Sequence, residues 1–200
     1  MSARRLPAPR RSLALAGAAL ALCGVAAIAA TPHRFPVAPP PAHTGGFGEP
    51  TCEACHEGNA VNDPAGAVEL RGLPAEGWEP GRTYDLTIVV RRPGMARGGF
   101  EASARLAGGA DSGRQAGAWQ PPAGADAPVA VTTERGVAYL HHTDAGAAPS
   151  PDSAAWTVRW TAPAAAAPVV FHVSANAANG DGSMFDDYVY ARGFVRAGRK

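Results

Sequence analysis

From Tyr84 onward the apolar residues of this chain recur with a period of two. Tyr84, Leu86, Ile88 and Val90 alternate with Asp85, Thr87, Val89 and Arg91, and only an extended strand places every second side chain on one face. The alternation returns in residues 100–106, 129–132, 137–142, 156–160, 169–175 and 188–195. Turns rich in Gly, Pro, Asn and Asp separate these runs, and no long segment carries a helical period. About seven short strands with such turns predict an all-β, two-sheet sandwich. Trp78, Trp156, Trp160, Phe171 and Tyr190 are its expected bulky core. Ala162–Pro168 is alanine-rich but bracketed by Pro163 and Pro168, which makes it a connector.

The sandwich has to stand on its core, because thiols are scarce. The chain has three cysteines, and Cys23 lies inside an export signal. That signal is the arginine flank Arg4, Arg5, Arg10 and Arg11 followed by an apolar run from Leu13 to Ala30. Cleavage near Ala27-Ile28-Ala29 and retention as an N-terminal membrane anchor are both open; Leu20-Ala21-Leu22-Cys23 is a poor lipidation box because of Leu22. Either way the remainder is expected outside the cytoplasm, in a periplasm or at a cell surface. Without the four signal arginines, residues 31–200 carry 14 basic and 17 acidic side chains. A net charge near −3 excludes a basic surface that recruits nucleic acid.

Four divisions follow. Residues 1–30 are the signal peptide or anchor. Residues 31–50, with six prolines and three glycines, form neither helix nor sheet ladder and are expected to be an extended linker. Residues 51–75 hold the chemical motif and read as loop with one short helical turn. Residues 76–196 are the sandwich, one structural domain with 51–75.

The motif is Cys52-Glu53-Ala54-Cys55-His56. Two thiols three positions apart can add to the two vinyl groups of a porphyrin, and a histidine directly after the second can bind the iron. The expected cofactor is therefore one covalent haem c, with Cys52, Cys55 and His56 binding it. Without haem, Cys52 and Cys55 would be a dithiol or disulfide pair; a zinc site lacks a second half.

The order of further landmarks resembles a known family. Trp78-Glu79-Pro80-Gly81, Gly99-Phe100-Glu101, Tyr139-Leu140-His141-His142-Thr143, residues 156–163 (WTVRWTAP) and residues 176–183 (NAANGDGS) together resemble a reelin-type (reeler) domain. The bacterial branch called choice-of-anchor V, which commonly carries C-x-x-C-H ahead of its sandwich, is the most similar. The resemblance spans roughly residues 50–192 and implies an immunoglobulin-like, reeler-type β-sandwich outside the cell. It brings no catalytic residue.

For the iron, His56 is the expected proximal ligand and His142 the first candidate for the sixth position. Strand alternation sends His141 and His142 to opposite faces, so only one of them can reach the metal. Met184 or an open position are the alternatives, followed by His172, His43 and Met95. Residues 179–187 offer oxygens at alternate positions, but they lack the glycine and the terminal glutamate of a calcium loop, so a tight turn is expected. No hydrolase elbow and no zinc-protease helix occur, so the chain is not expected to be an enzyme. The function these residues predict is an exported monohaem c-type cytochrome that passes single electrons to a redox partner protein. An extracytoplasmic binding, adhesion or gas-sensing module is the alternative.

Overall fold

The structure is a computed structural model that describes residues 38–199. The expected signal segment and the first part of the expected linker, residues 31–37, lie outside the described residues. Nine strands form two antiparallel sheets. β1 (Ala67–Arg71), β2 (Thr83–Arg91), β7 (Ser153–Thr161) and β4 (Ala118–Gln120) make one sheet in the order β1-β2-β7-β4. β5 (Val129–Glu134), β6 (Val137–His142), β3 (Arg97–Leu106), β8 (Val169–Ala178) and β9 (Tyr188–Arg196) make the other, in the order β5-β6-β3-β8-β9.

The fold is the expected all-β sandwich, with two strands more than the seven anticipated. β1 falls in a segment expected to be loop, and β4 is a three-residue strand around Trp119. All seven predicted runs are strands, and Ala162–Pro168 is a connector. The five expected core aromatics are all buried. Between the sheets Trp160 stacks edge-on against Trp78 and Phe171, with ring centres 6.0 and 4.9 Å away, and Phe100 lies 4.6 Å from Trp156. Each such ring contributes on the order of 1.5–3 kcal/mol by leaving water.

The two sheets differ in what they do with their outer faces. β7 alternates strictly between buried and open positions, as a strand with one wet face should. β3 and β8, by contrast, are buried almost throughout. Their inward side chains, Phe100, Ala102, Ala104, Phe171, Val173 and Ala175, belong to the core. The outward ones, Glu101, Ser103, Arg105, Ser174 and Asn176, are polar and yet buried.

What covers them is the chain from about residue 42 to residue 59. Residues 38–50 contain neither helix nor strand, as their prolines dictate, and the later part is packed on the sheet. Thr44 is buried, the backbone N–H of His43 donates to Glu101, and Glu49 is paired with Arg105 and with the Tyr139 hydroxyl. A polar sheet face receives a segment that brings its own polar partners, which is how a buried polar layer avoids the cost of unpaired groups.

Candidate functional site

The motif sits on this covered face. Thr51 begins a single 3₁₀ turn, Cys52–Ala54, by accepting the Glu53 N–H on its side chain. The carbonyl of Cys52 then accepts from both Cys55 N (3.2 Å) and His56 N (3.0 Å). One turn therefore gathers Cys52, Cys55 and His56, and neither cysteine is in a disulfide. The turn is fastened to the sheet by Cys52 N–H, which donates to Ser174 Oγ on β8 at 3.0 Å.

His56 is held by a carboxylate from the loop that enters β9. Asp187, 1 % exposed, lies with Oδ2 2.7 Å from His56 Nδ1. The same oxygen accepts from Asn176 Nδ2 at 3.1 Å, and Oδ1 accepts from the Asn179 N–H at 3.0 Å. A carboxylate has no proton to give, so Nδ1 carries the hydrogen, and in the neutral ring the lone pair is on Nε2. The Asp187 carbonyl further accepts from Asn59, three residues beyond His56.

The loop before Asp187 completes the clasp. Met184 O accepts from Glu57 N (3.1 Å), and Asp186 N donates to Glu57 O (3.0 Å). Gly58 adopts φ +118°, and a Cβ there would stand 3.1 Å from Asp186 N, so this crossing needs glycine. The expected tight turn at 179–183 is present: Asn179 Oδ1 and Asp181 Oδ1 accept from Asp181 N and Ser183 N.

The remaining candidate histidines sort themselves by their nitrogens. His141 has both engaged, Nε2 with Thr132 Oγ1 and Nδ1 with the His142 carbonyl, and it is buried. His142 contacts the main chain of Phe100 through Nδ1 alone, 2.9 Å from N and 3.0 Å from O. Its ring lies over Gly99, where an added Cβ would meet Cε1 at 2.8 Å. Gly99 pairs with Asn176, the residue beside His56. His142 at the end of β6 thus meets Gly99, and His56 in the loop after the 3₁₀ turn meets Asn176, the two members of one β3–β8 rung. Burial lowers the His142 pKa, and the positive ends of His141 and His56 add to this.

His43 hydrogen-bonds Pro40 and Pro41 carbonyls, Met95 is core, and His172 packs on Phe47 at 5.3 Å. None of these three joins the motif. Among the described residues no group of three or more His, Cys, Asp or Glu side chains could hold a bare metal ion.

Beneath the turn lies an acidic cluster. Burial pushes the fully buried Glu101 carboxyl up to about 8, and the charge of Glu49 adds to it, against the N–H groups of His43 and Ala42 and the Arg105 guanidinium. Burial raises Glu49 too, but hydrogen bonds from Thr44, Tyr139 and Arg105 outweigh it and hold that carboxyl below its usual value. Burial also pushes the Cys52 thiol up to about 12, with Glu101 contributing; Ser174 opposes this only in part. The residue is half-buried as a whole, but its thiol is out of water.

The turn carries two thiols outside any disulfide, followed by an imidazole whose Nδ1 is tied to a buried carboxylate, a second-sphere contact of the kind that orients a histidine. No protein-family model matches the sequence and no curated protein matches it. Among solved structures the chain is similar to the human F-spondin reeler domain, with a TM-score of 0.47 and 18% identity over 71% of this chain and 95% of that one. It is also similar to the major pilin SpaD of Corynebacterium diphtheriae, at 0.38 and 16% over 65% of this chain and 35% of the pilin. The sixth cohesin from scaffoldin B of Acetivibrio cellulolyticus matches at 0.35 and 9% over 63% and 97%. These likenesses concern architecture and assign no role to any residue.

Proposed function

We propose that this chain is an exported monohaem c-type cytochrome, a bacterial reeler-like sandwich of the choice-of-anchor V kind that carries one electron at a time between redox proteins. The observation that supports this most is the Cys52–His56 turn with its Asp187-anchored imidazole. In this reading Cys52 and Cys55 would hold the porphyrin through thioethers and His56 would bind its iron through Nε2. The group supplies a ferrous/ferric couple when bound.

The protein's part is positional and electrostatic. Asp187 fixes the His56 tautomer and ring orientation. His142, tethered by Nδ1 to the β3 backbone, is the side chain that would supply a second ligand in this reading, and Met184, whose carbonyl accepts from Glu57 N, is the alternative. The desolvated thiol of Cys52 implies an order of events. A thiol so reluctant to ionise is a poor nucleophile, so any thioethers would have to form before the segment docks on the sheet. That suits attachment to an unfolded chain after export, which the N-terminal arginine and apolar residues support.

The test is a visible spectrum of the chain expressed with a haem c maturation system, oxidised and dithionite-reduced. Expected are a Soret band and a reduced α-band typical of thioether-linked haem. Both are lost in His56→Ala, and His142→Ala shifts toward high spin. A wild-type chain without a Soret band overturns the proposal.

A further inference from the structure

The outer edge of β9 has a gap. Ala191 exchanges hydrogen bonds with the Asn62 side chain, its N–H donating to Oδ1 at 2.9 Å and its carbonyl accepting from Nδ2 at 3.2 Å, and Val189 O accepts from Asn62 N at 2.8 Å. Since these residues turn their backbone groups away from β8, period two assigns the same direction to Gly193, Val195 and Ala197. At the far end the edge is covered again, because Trp78 N donates to Ala197 O at 3.0 Å and Arg199 N donates to Trp78 O at 2.7 Å.

Between these two covers, Gly193 and Val195, paired with His172 and Val170 of β8 on their inner side, have no strand partner on their outer side among the described residues: β9 is the last strand of its sheet, and the Val195 carbonyl accepts only from the guanidinium of Arg196. The uncovered rungs line a groove of about 540 Å³ that opens toward Leu70 and Arg71 of β1, the edge strand of the other sheet. A protein that covers its strand edge on both sides of a gap leaves in the gap a template for another strand.

The charges say which strand. Tyr190 and Phe194 face the core, so Arg192 and Arg196 share their side of β9. Arg192 stacks on Phe194, 5.3 Å from guanidinium carbon to ring centre, and neither it nor Arg196 is in an ion pair among the described residues. The one acid in the groove, Glu69, is already shared by Arg71 and Arg91. A second copy of β9 laid antiparallel about Phe194 would set Arg192 against Arg196, which keeps like edges apart.

We propose that this gap is a docking site for an extended acidic peptide of a partner protein, which adds as a short strand to β9. Residues opposite Arg192, Phe194 and Arg196 alternate along the added strand, so the recognised pattern is acid, any, apolar, any, acid. Backbone bonds to Gly193 and Val195 supply the register, the two arginines take the carboxylates, and Leu70 with Phe194 takes the apolar side chain. This site is separate from the Cys52–His56 turn and does not depend on what that turn holds.

The test is fluorescence anisotropy of the full chain with a labelled peptide containing Glu-Thr-Val-Thr-Glu. Its comparisons are the same peptide N-methylated at alternate residues, a Lys-Thr-Val-Thr-Lys peptide, and the Arg192→Glu/Arg196→Glu variant checked for fold by circular dichroism. Expected are saturable binding of the acidic peptide, weakening of about tenfold or more in the variant, and loss on N-methylation or charge reversal of the peptide. The comparison of plain and N-methylated peptides on the wild type decides the matter even if the variant misfolds. No binding of the acidic peptide at millimolar concentration, or equal binding of the N-methylated form as a mere polyanion, overturns the proposal.

Discussion

Asp187 Oδ2 lies 2.7 Å from His56 Nδ1, across 131 residues of chain, and the carboxylate is 1 % exposed. It is the one side chain that ties the motif turn, the β8 residue Asn176 and the loop entering β9 to a single point. Asp187→Ala leaves three donors without their acceptor, and hydrogen bonds to a buried charge are each worth about 1.5–3 kcal/mol. The expected loss is about 3 kcal/mol in urea unfolding of the haem-free chain, with Asp187→Asn losing less because its carbonyl oxygen can still accept from Nδ1. An unchanged midpoint in Asp187→Ala would remove this residue as the anchor of the turn.

Glu101 makes stability fall with rising pH. Its folded carboxyl titrates near 8, well above the ordinary 4.5 of the unfolded chain, so between those values the native state holds a proton that the unfolded state has released. The stabilising contribution is complete below about 4.5 and is lost as pH rises to about 8. The groups that face it are Glu49, Arg105, Tyr139, Cys52 and the backbone of His43. The lowered values of His142 and His172 act oppositely, costing stability as pH falls below 6.5. The difference between wild type and Glu101→Gln isolates the carboxyl: urea midpoints measured from pH 5 to 9 should show the variant gaining on the wild type as pH rises. Parallel curves would mean that Glu101 is ionised in the folded chain.

The buried thiol predicts a large protection. With its pKa pushed up to about 12, native Cys52 is thiolate at pH 8 only to about one part in ten thousand, against roughly a tenth or more for an ordinary thiol. In haem-free chain, alkylation of Cys52 followed by mass spectrometry should be about a thousandfold slower when folded than in urea. Equal rates in the two states would show a thiol open to solvent, and with it the inference that thioethers form before docking would fall.

The strands were legible because their signal is local. Alternation in Tyr84–Arg91 or in residues 156–160 is a property of neighbouring residues, and burial of one face enforces it. β1 escaped because five residues with only Val68 and Leu70 inward give too short a period, and β4 because Trp119 alone marks it. The motif itself was read correctly as a single turn. The docking of residues 42–59 was not, for a physical reason: Glu101, Ser103 and Arg105 alternate with apolar residues and look like the wet face of a strand. Only the long-range meeting of Glu49 with Arg105, and of Asp187 with His56, makes that face an interior. A usable signal was present in hindsight, since the blocks that carry the reeler resemblance, around Glu101, His142 and Asn176, all converge on this face.

Gly99 and His142 form the sharpest steric test of the site. A Cβ at residue 99 would stand 2.8 Å from His142 Cε1 and 3.1 Å from Nε2, closer than carbon and nitrogen tolerate. β3 is held in register with β8 by ten paired positions, so the ring and not the strand has to yield, breaking its contact with the Phe100 main chain. Gly99→Ala should therefore cost about 1–3 kcal/mol, the usual cost of overpacking, and His142→Ala, which empties the space, should restore most of it. In haem-loaded protein Gly99→Ala should also move the spectrum in the same direction as His142→Ala. A double-mutant cycle in urea measures the coupling. Additive losses would show that the imidazole does not lie over Gly99, and His142 would then lose its claim to the second axial position.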